Sequence, residues 1–215
     1  MSLLSFLNFW GKKPLPDHTH SIPTAINYYY DMITSYNGNA RDVKKADKHM
    51  DGFINIFKGV VDPNKSKIRE KHKAIVPGAF LNKRWDIATS NSALELKSIV
   101  LSKMGKCFSN RVEEAIGVAV DLKHGIKGMK LNYFKLNYFL VVENDSVEGG
   151  EDKEVKYQRK INKIVSFCRY IEKDLKLYDN VCCLVLDSNG NHKCVYSDFN
   201  TFVYKWRKGI QNGRT

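Results

Sequence analysis

Arg84-Trp-Asp-Ile-Ala-Thr-Ser-Asn-Ser-Ala-Leu-Glu-Leu-Lys-Ser98 is the stretch on which the reading of this chain turns. Two β-rich segments, 84–90 and 93–100, flank a polar Ser-Asn-Ser turn and read as a hairpin. On the second arm Glu95 and Lys97 stand two residues apart, so side-chain alternation puts both on one face of the strand. Asp86, near the start of the first arm, can meet them across the ladder. Two carboxylates and an ammonium then share one small site. That set suits metal-dependent phosphodiester hydrolysis, which needs oxygen ligands for a hard divalent cation and a fixed positive charge beside the attacking water or the phosphate. An exposed hairpin with a surface ion pair would carry the same residues, so the rest of the chain has to decide.

The chain has 215 residues, 43% of them apolar, which is enough for one domain with a substantial core. Its net charge of +12 favours a polyanionic partner: DNA, RNA or an anionic membrane. The excess is uneven. Residues 41–84 hold twelve Lys/Arg against five Asp/Glu, whereas Glu143, Asp145, Glu148, Glu151, Asp152 and Glu154 make an acidic loop. A basic half opposite an acidic loop suits a protein that turns one face to a phosphate backbone. The five cysteines form no Cys-x-x-Cys pair, and most lie in apolar runs such as Val181-Cys-Cys-Leu-Val-Leu186. They argue for a reducing cytoplasm and against a zinc site or a disulfide framework. The apolar run Leu3–Trp10 is short, lacks a basic lead-in, and ends at Gly-Lys-Lys-Pro, so it reads as a packing segment rather than a signal or a membrane span. No histidine pairs with a Ser or Cys in a nucleophile motif, and no glycine loop could cradle the phosphates of a small-molecule cofactor.

The first third reads as helical. One helix is expected over 24–36, with three consecutive tyrosines, and another over 41–61, where Val43, Ala46, Met50, Phe53, Phe57 and Val60 share a stripe. A basic linker, 65–73, leads to the hairpin. Ser109 or Asn110 can cap a helix from Arg111 to about His124. A strand over 138–142, a long helix near 154–177, strands over 181–186 and 193–196, and a last helix over 199–208 capped by Asp198 complete the order. In the last helix Tyr204-Lys-Trp-Arg-Lys208 interleaves aromatics with cations. This order gives an α/β domain with a mixed central sheet flanked by helices. The expectation is a single domain over 1–215, with a helical N-terminal part (1–73) and a catalytic core plus C-terminal helices (74–215).

Asp86, then Glu95-x-Lys97, resembles the PD-(D/E)xK nuclease core, with Trp85 where that motif often has proline. A closer resemblance follows from Pro77-Gly-Ala-Phe80, Arg84-Trp-Asp86, Leu94-Glu-Leu-Lys-Ser98 and Asn110-Arg-Val-Glu-Glu-Ala-Ile-Gly-Val-Ala-Val-Asp-Leu122. These are similar to the XhoI-like type II restriction endonucleases, whose pattern runs roughly PGYFRPxKxWD and then LExKSQVGPSFGNNFNNRxEEAxGxAxDLW. The likeness extends over about 24–187 and is most specific between 84 and 122. It implies a restriction-endonuclease-like fold, Mg²⁺ as the cofactor, double-stranded DNA as the substrate, and a two-fold homodimer that cuts both strands of a palindrome. Asp86 and Glu95 would hold the ion, with Lys97 beside the attacking water. Asp51, in the family-like Met50-Asp-Gly-Phe-Ile54, is the first candidate for a third acid. Glu113 and Glu114 are expected mainly to meet the dipole of the helix they begin.

The chain departs from the family between Lys97 and Arg111, where the spacing is kept but the glutamine and the Asn-rich portion are replaced. Amide side chains read base edges. A site related to the family's C-T-C-G-A-G, but not necessarily identical to it, is therefore expected. Lys103, Lys106, Asn110 and Arg111 are the candidate DNA contacts. A structure- or repair-directed nuclease would share the same metal triad. A non-catalytic nucleic-acid-binding protein would show steep salt dependence and no Mg²⁺-dependent product.

Overall fold

The computed structural model describes residues 21–34, 47–61, 68–70, 73–128, 133–145, 151–187 and 189–212. The run Leu3–Trp10, Val43 and Ala46 lie outside them. The long apolar strands dictate the centre. β5 (Ser92–Val100), β6 (Lys135–Asn144) and β7 (Asn180–Asp187) are buried on both faces and pair in parallel. Parallel neighbours need crossovers, supplied by α3 (Met104–Gly128) and α4 (Glu151–Arg169). Short antiparallel strands close both edges. β1 (Arg69–Glu70) and β4 (Ile87–Ala88) lie beyond β5, and β8 (His192–Tyr196) lies beyond β7. Among the described residues this makes a six-stranded mixed sheet, and β2 (Ile75–Pro77) pairs with β3 (Asn82–Arg84) in a separate ribbon.

Alternation along these strands splits the core in two. Ala93, Tyr138, Leu140, Val181 and Cys183 face α3 and α4. Leu94, Leu96, Phe139, Val141 and Cys182 face α1 (Ser21–Thr34), α2 (Asp51–Val61) and α5 (Phe199–Asn212). On that second face Phe57 is fully buried, with ring centroids 4.9 Å from Phe139, 5.4 Å from Phe199 and 5.7 Å from both Phe202 and Trp206. Phe57→Ala is expected to cost about 3–5 kcal/mol, because the side chain is lost and the aromatic wall cannot collapse into the space. Urea denaturation measures this directly, and a loss below about 1 kcal/mol would contradict the packing.

Several expectations change. The first arm of the hairpin is extended only at 87–88, because Asp86 sits in a bend and 82–84 pair with β2 instead. Part of the expected linker is strand β1. The helix expected from Arg111 begins at Met104, so Ser109 and Asn110 are exposed residues within it and cap nothing. Its buried stripe runs Met104, Phe108, Ala115, Ala119, Leu122 and Ile126, and Phe108 packs edge-on against Phe167. Asp198 does cap α5, accepting from the Thr201 N–H at 2.8 Å. Trp206 is buried and donates to the Ser92 hydroxyl at 2.8 Å, so it is not offered to a nucleic-acid backbone. Of the three tyrosines, Tyr29 turns into the protein's own core. All five cysteines are free, and no helix among the described residues is long and apolar enough to cross a membrane.

The turn between β2 and β3 is fastened to α3. Asp121 accepts from the Phe80 N–H at 2.8 Å and the Leu81 N–H at 3.3 Å, and its carbonyl accepts from Ala79 N–H at 3.0 Å. This approach is possible because Gly78 meets Gly125. A Cβ on Gly125 would lie 2.4 Å from the Gly78 carbonyl carbon.

Candidate active site

Trp85 fixes the first carboxylate. Its indole is buried in the α3/α4 core and its backbone N–H donates to the Ala74 carbonyl at 2.9 Å, so the chain is pinned one residue before Asp86. Ile87 pairs with Leu94, and continuing that antiparallel register by one residue sets Asp86 opposite Glu95. Asp86 Oδ2 accepts from the Leu96 N–H at 2.7 Å. On β5, Leu94 and Leu96 face the α1/α2/α5 core, which leaves Glu95 and Lys97 on the α3/α4 side. The alternation expected from the sequence therefore holds.

Glu95 is only 3% exposed. Its Oε1 accepts from Lys97 Nζ at 2.6 Å and from Lys83 Nζ at 2.9 Å, while its Oε2 is buried without a hydrogen-bond partner. Lys97 Nζ also reaches Glu114 Oε1 at 2.8 Å. Glu114 in turn lies 3.5 Å from Lys83 Nζ and holds Arg111 Nη1 at 2.9 Å through Oε2. Two carboxylates and three cations thus interlock across β3, β5 and α3, with Asp86 opposite Glu95.

Their electrostatics are uneven. Burial, and then the facing charge of Glu95, push Asp86 up to about 6, against the pull of the Leu96 N–H, Lys97 and Lys83. For Glu114, burial alone would raise the pKa. The hydrogen bond and charge of Lys97, aided by Lys83 and Arg111, outweigh burial and hold it down to about 2. Burial works to lower Lys97, but Glu95 and Glu114 prevail, so its pKa rises and it stays an ammonium. A buried carboxylate oxygen without a donor, facing a second carboxylate that resists ionising, is the environment a divalent cation relieves. Among the described residues no three His, Cys, Asp or Glu side chains gather as a ligand set. The residues present therefore fit an ion that takes one or two carboxylates and completes its shell with water and phosphate, as Mg²⁺ does.

Asp86 makes a stability prediction possible. Its pKa is raised in the fold, so its contribution is intact below the unfolded value near 3.8 and is lost as the pH rises through about 6. In chelator, Asp86→Asn should therefore stabilise the protein by on the order of 1–2 kcal/mol above about pH 6. The gain should vanish below about pH 4. Denaturant midpoints at pH 4 and pH 8 check this; an equal effect at both would count against it.

The structure brings Asp86, Glu95, Lys97 and Arg111 together. Lys103 is exposed in the turn Leu101–Lys103, and Asn110 is exposed on α3. Lys106 belongs to α3 as well, but its side chain lies outside the described residues. Asp51 opens α2, which packs on the opposite face of the sheet. Glu114 is ten residues into α3, not in its first turn, and serves the cluster rather than the helix dipole. Lys83 was missed altogether, although the family pattern that Trp85-Asp86 resembles carries a lysine two residues before its Trp-Asp.

The chain matches the family model "Restriction endonuclease XhoI" over residues 34–198. It is 33% identical over 122 residues to the type II restriction enzyme XhoI of Xanthomonas vasicola, covering 50% of this chain and 49% of that protein. It is 38% identical over 85 residues to the type II restriction enzyme AbrI of Azospirillum brasilense, covering 35% and 38%. To the type II restriction enzyme BstVI of Geobacillus stearothermophilus it is 26% identical over 180 residues, covering 70% and 79%. The match thus spans half or less of the first two relatives. No solved structure matches the chain.

Proposed function

The chain belongs to the XhoI family of restriction endonucleases, and from that premise we propose that it is a type II restriction endonuclease that hydrolyses both strands of double-stranded DNA at a short palindrome. The observation that carries this reading is the Asp86–Glu95 pair, set opposite each other by the β4/β5 register, with Lys97 Nζ 2.6 Å from Glu95 Oε1. In this reading 1–215 is one domain with a PD-(D/E)xK core, acting in the cytoplasm as a two-fold homodimer.

Asp86 and Glu95 would hold Mg²⁺. When bound, the ion would acidify its water and offset charge at the phosphorus. The remaining chemistry falls to the chain. Leu96 N–H holds the Asp86 carboxylate in place through Oδ2. Lys97, kept protonated by two carboxylates, acts as a cation toward the phosphate and the water, not as the base. Glu114 holds Lys97 from the helix side, and Arg111 holds Glu114. Of the two further acids, Asp51 and Glu114, we assign the supporting role to Glu114. Lys103, Lys106 and Asn110, which precede Arg111, are the proposed DNA contacts, and the divergence of Lys103 and Lys106 from the family pattern supports a site related, rather than identical, to C-T-C-G-A-G.

Supercoiled plasmid of known sequence, incubated with the protein and Mg²⁺, tests the reading. Discrete fragments with ends at one palindrome are expected. Nicking confined to junctions, flaps or mismatches would instead mean a structure-directed nuclease, and binding without any product would remove the catalytic assignment.

A further inference from the structure

Lys83 reaches the cluster from outside the main sheet. Its strand pairs with β2, Val76 opposite Lys83, and the turn before it is locked to α3 through Asp121. From there Nζ lies 5.7 Å from the centroid of the Trp85 ring and contacts Glu95 Oε1 at 2.9 Å. That is the oxygen Lys97 already holds at 2.6 Å, while Glu95 Oε2 has no hydrogen-bond partner. One carboxylate oxygen carries two ammonium groups and its sister carries no donor. Lys97 is anchored a second time by Glu114 at 2.8 Å, whereas Lys83 reaches Glu114 only at 3.5 Å. Lys83 is therefore the less firmly held of the two.

We propose that Lys83 is a resident counterion of Glu95, which competes with the divalent ion for that carboxylate and leaves to contact a DNA phosphate when the ion enters. This deepens the nuclease reading and rests on its assignment of Asp86 and Glu95 as ligands. Like charges at contact distance repel strongly where water is scarce, so an ion entering between the two carboxylates works against Lys83. A phosphate backbone offers the displaced ammonium a new partner. Cation uptake is thereby coupled to DNA binding, and the DNA-free enzyme stays poorly loaded.

The test uses Mn²⁺ as the probe and the full chain without DNA, reading bound ion from the loss of the free Mn²⁺ electron-spin-resonance signal. Lys83→Met and Lys83→Gln should each bind Mn²⁺ about tenfold or more tightly than the parent protein, and Lys83→Arg should not. Far-ultraviolet circular dichroism confirms that each variant is folded. With DNA and Ca²⁺, Lys83→Met should lower the salt slope of binding by about one unit. Equal or weaker Mn²⁺ uptake by both neutral variants, with the parent protein still binding, would overturn the counterion role alone. Absence of uptake by the parent and by every variant would overturn the Asp86–Glu95 assignment, and this inference with it.

Discussion

Glu95→Gln is expected to reduce Mg²⁺-dependent cleavage by roughly three orders of magnitude or more. Glutamine keeps the volume of a side chain that is 3% exposed, so the loss cannot be assigned to a collapsed pocket. What disappears is one negative charge between Lys83 and Lys97, together with the buried oxygen that has no donor of its own. An amide in its place offers a neutral ligand at best, and both ammonium groups lose their shared partner. Binding to duplex DNA in Ca²⁺ is a less sensitive property and should fall far less. Single-turnover cleavage of a mapped fragment decides the matter, and a rate within tenfold of the parent protein would sink the assignment. Asp86→Ala should behave in the same way, since the facing carboxylate is the other half of the pair.

Lys97→Met carries the second large effect, a loss of about 10²–10⁴-fold in the chemical step. The side chain is held by Glu95 and Glu114 at 2.6 and 2.8 Å, so its charge is positioned before any substrate arrives. Removing it leaves Glu114 with Arg111 at 2.9 Å and Glu95 with Lys83 at 2.9 Å, and neither acid is stranded. The fold should therefore survive, with a melting temperature close to that of the parent. The pH profile separates two roles. A lysine acting as the base would make the rate climb with pH toward the lysine pKa and would lose that climb, with activity, in Lys97→Arg, whereas a fixed cation is partly replaced by arginine with an unchanged profile. We expect the second outcome.

The strand that carries the candidate site was legible in the sequence because its alternation is local. Leu94 and Leu96 on one face force Glu95 and Lys97 to the other, and the structure keeps that division. The order of elements followed from long apolar runs that only a buried parallel sheet accommodates. The start of α3 was not legible. Ser109 and Asn110 have the chemistry of caps, but Met104 and Phe108 continue the buried stripe two turns upstream, and core packing overrides a capping preference. The partners of the site were harder still. Lys83 is twelve residues from Glu95, and Glu114 is seventeen from Lys97. Nothing local says that a ribbon outside the sheet and the third turn of a helix deliver their charges to one point. In the same way Trp206 looked available for a nucleic acid until its neighbours Phe57 and Phe202 were known.

The contact between Gly78 and Gly125 sets more than a backbone path. Lys83 and Asp86 arrive with the segment that this contact fastens, while Glu114 and Arg111 arrive on the helix beneath it, so the contact acts as the gauge between two halves of one charge cluster. A methyl group at Gly125 would press on backbone alone, at 2.4 Å from the Gly78 carbonyl carbon, whereas at Gly78 it would meet the Asp121 carboxylate first and the Leu81 carbonyl oxygen at 2.8 Å. The two glycines therefore differ as handles. Gly125→Ala is expected to pry the halves apart and leave the proposed ligands all present but out of register. Gly78→Ala requires Asp121 to step aside and release the Phe80 and Leu81 amides, and it also presses on the Leu81 carbonyl oxygen at 2.8 Å. In the proposed nuclease, this pair offers a way to make activity conditional on temperature without touching a single charged residue.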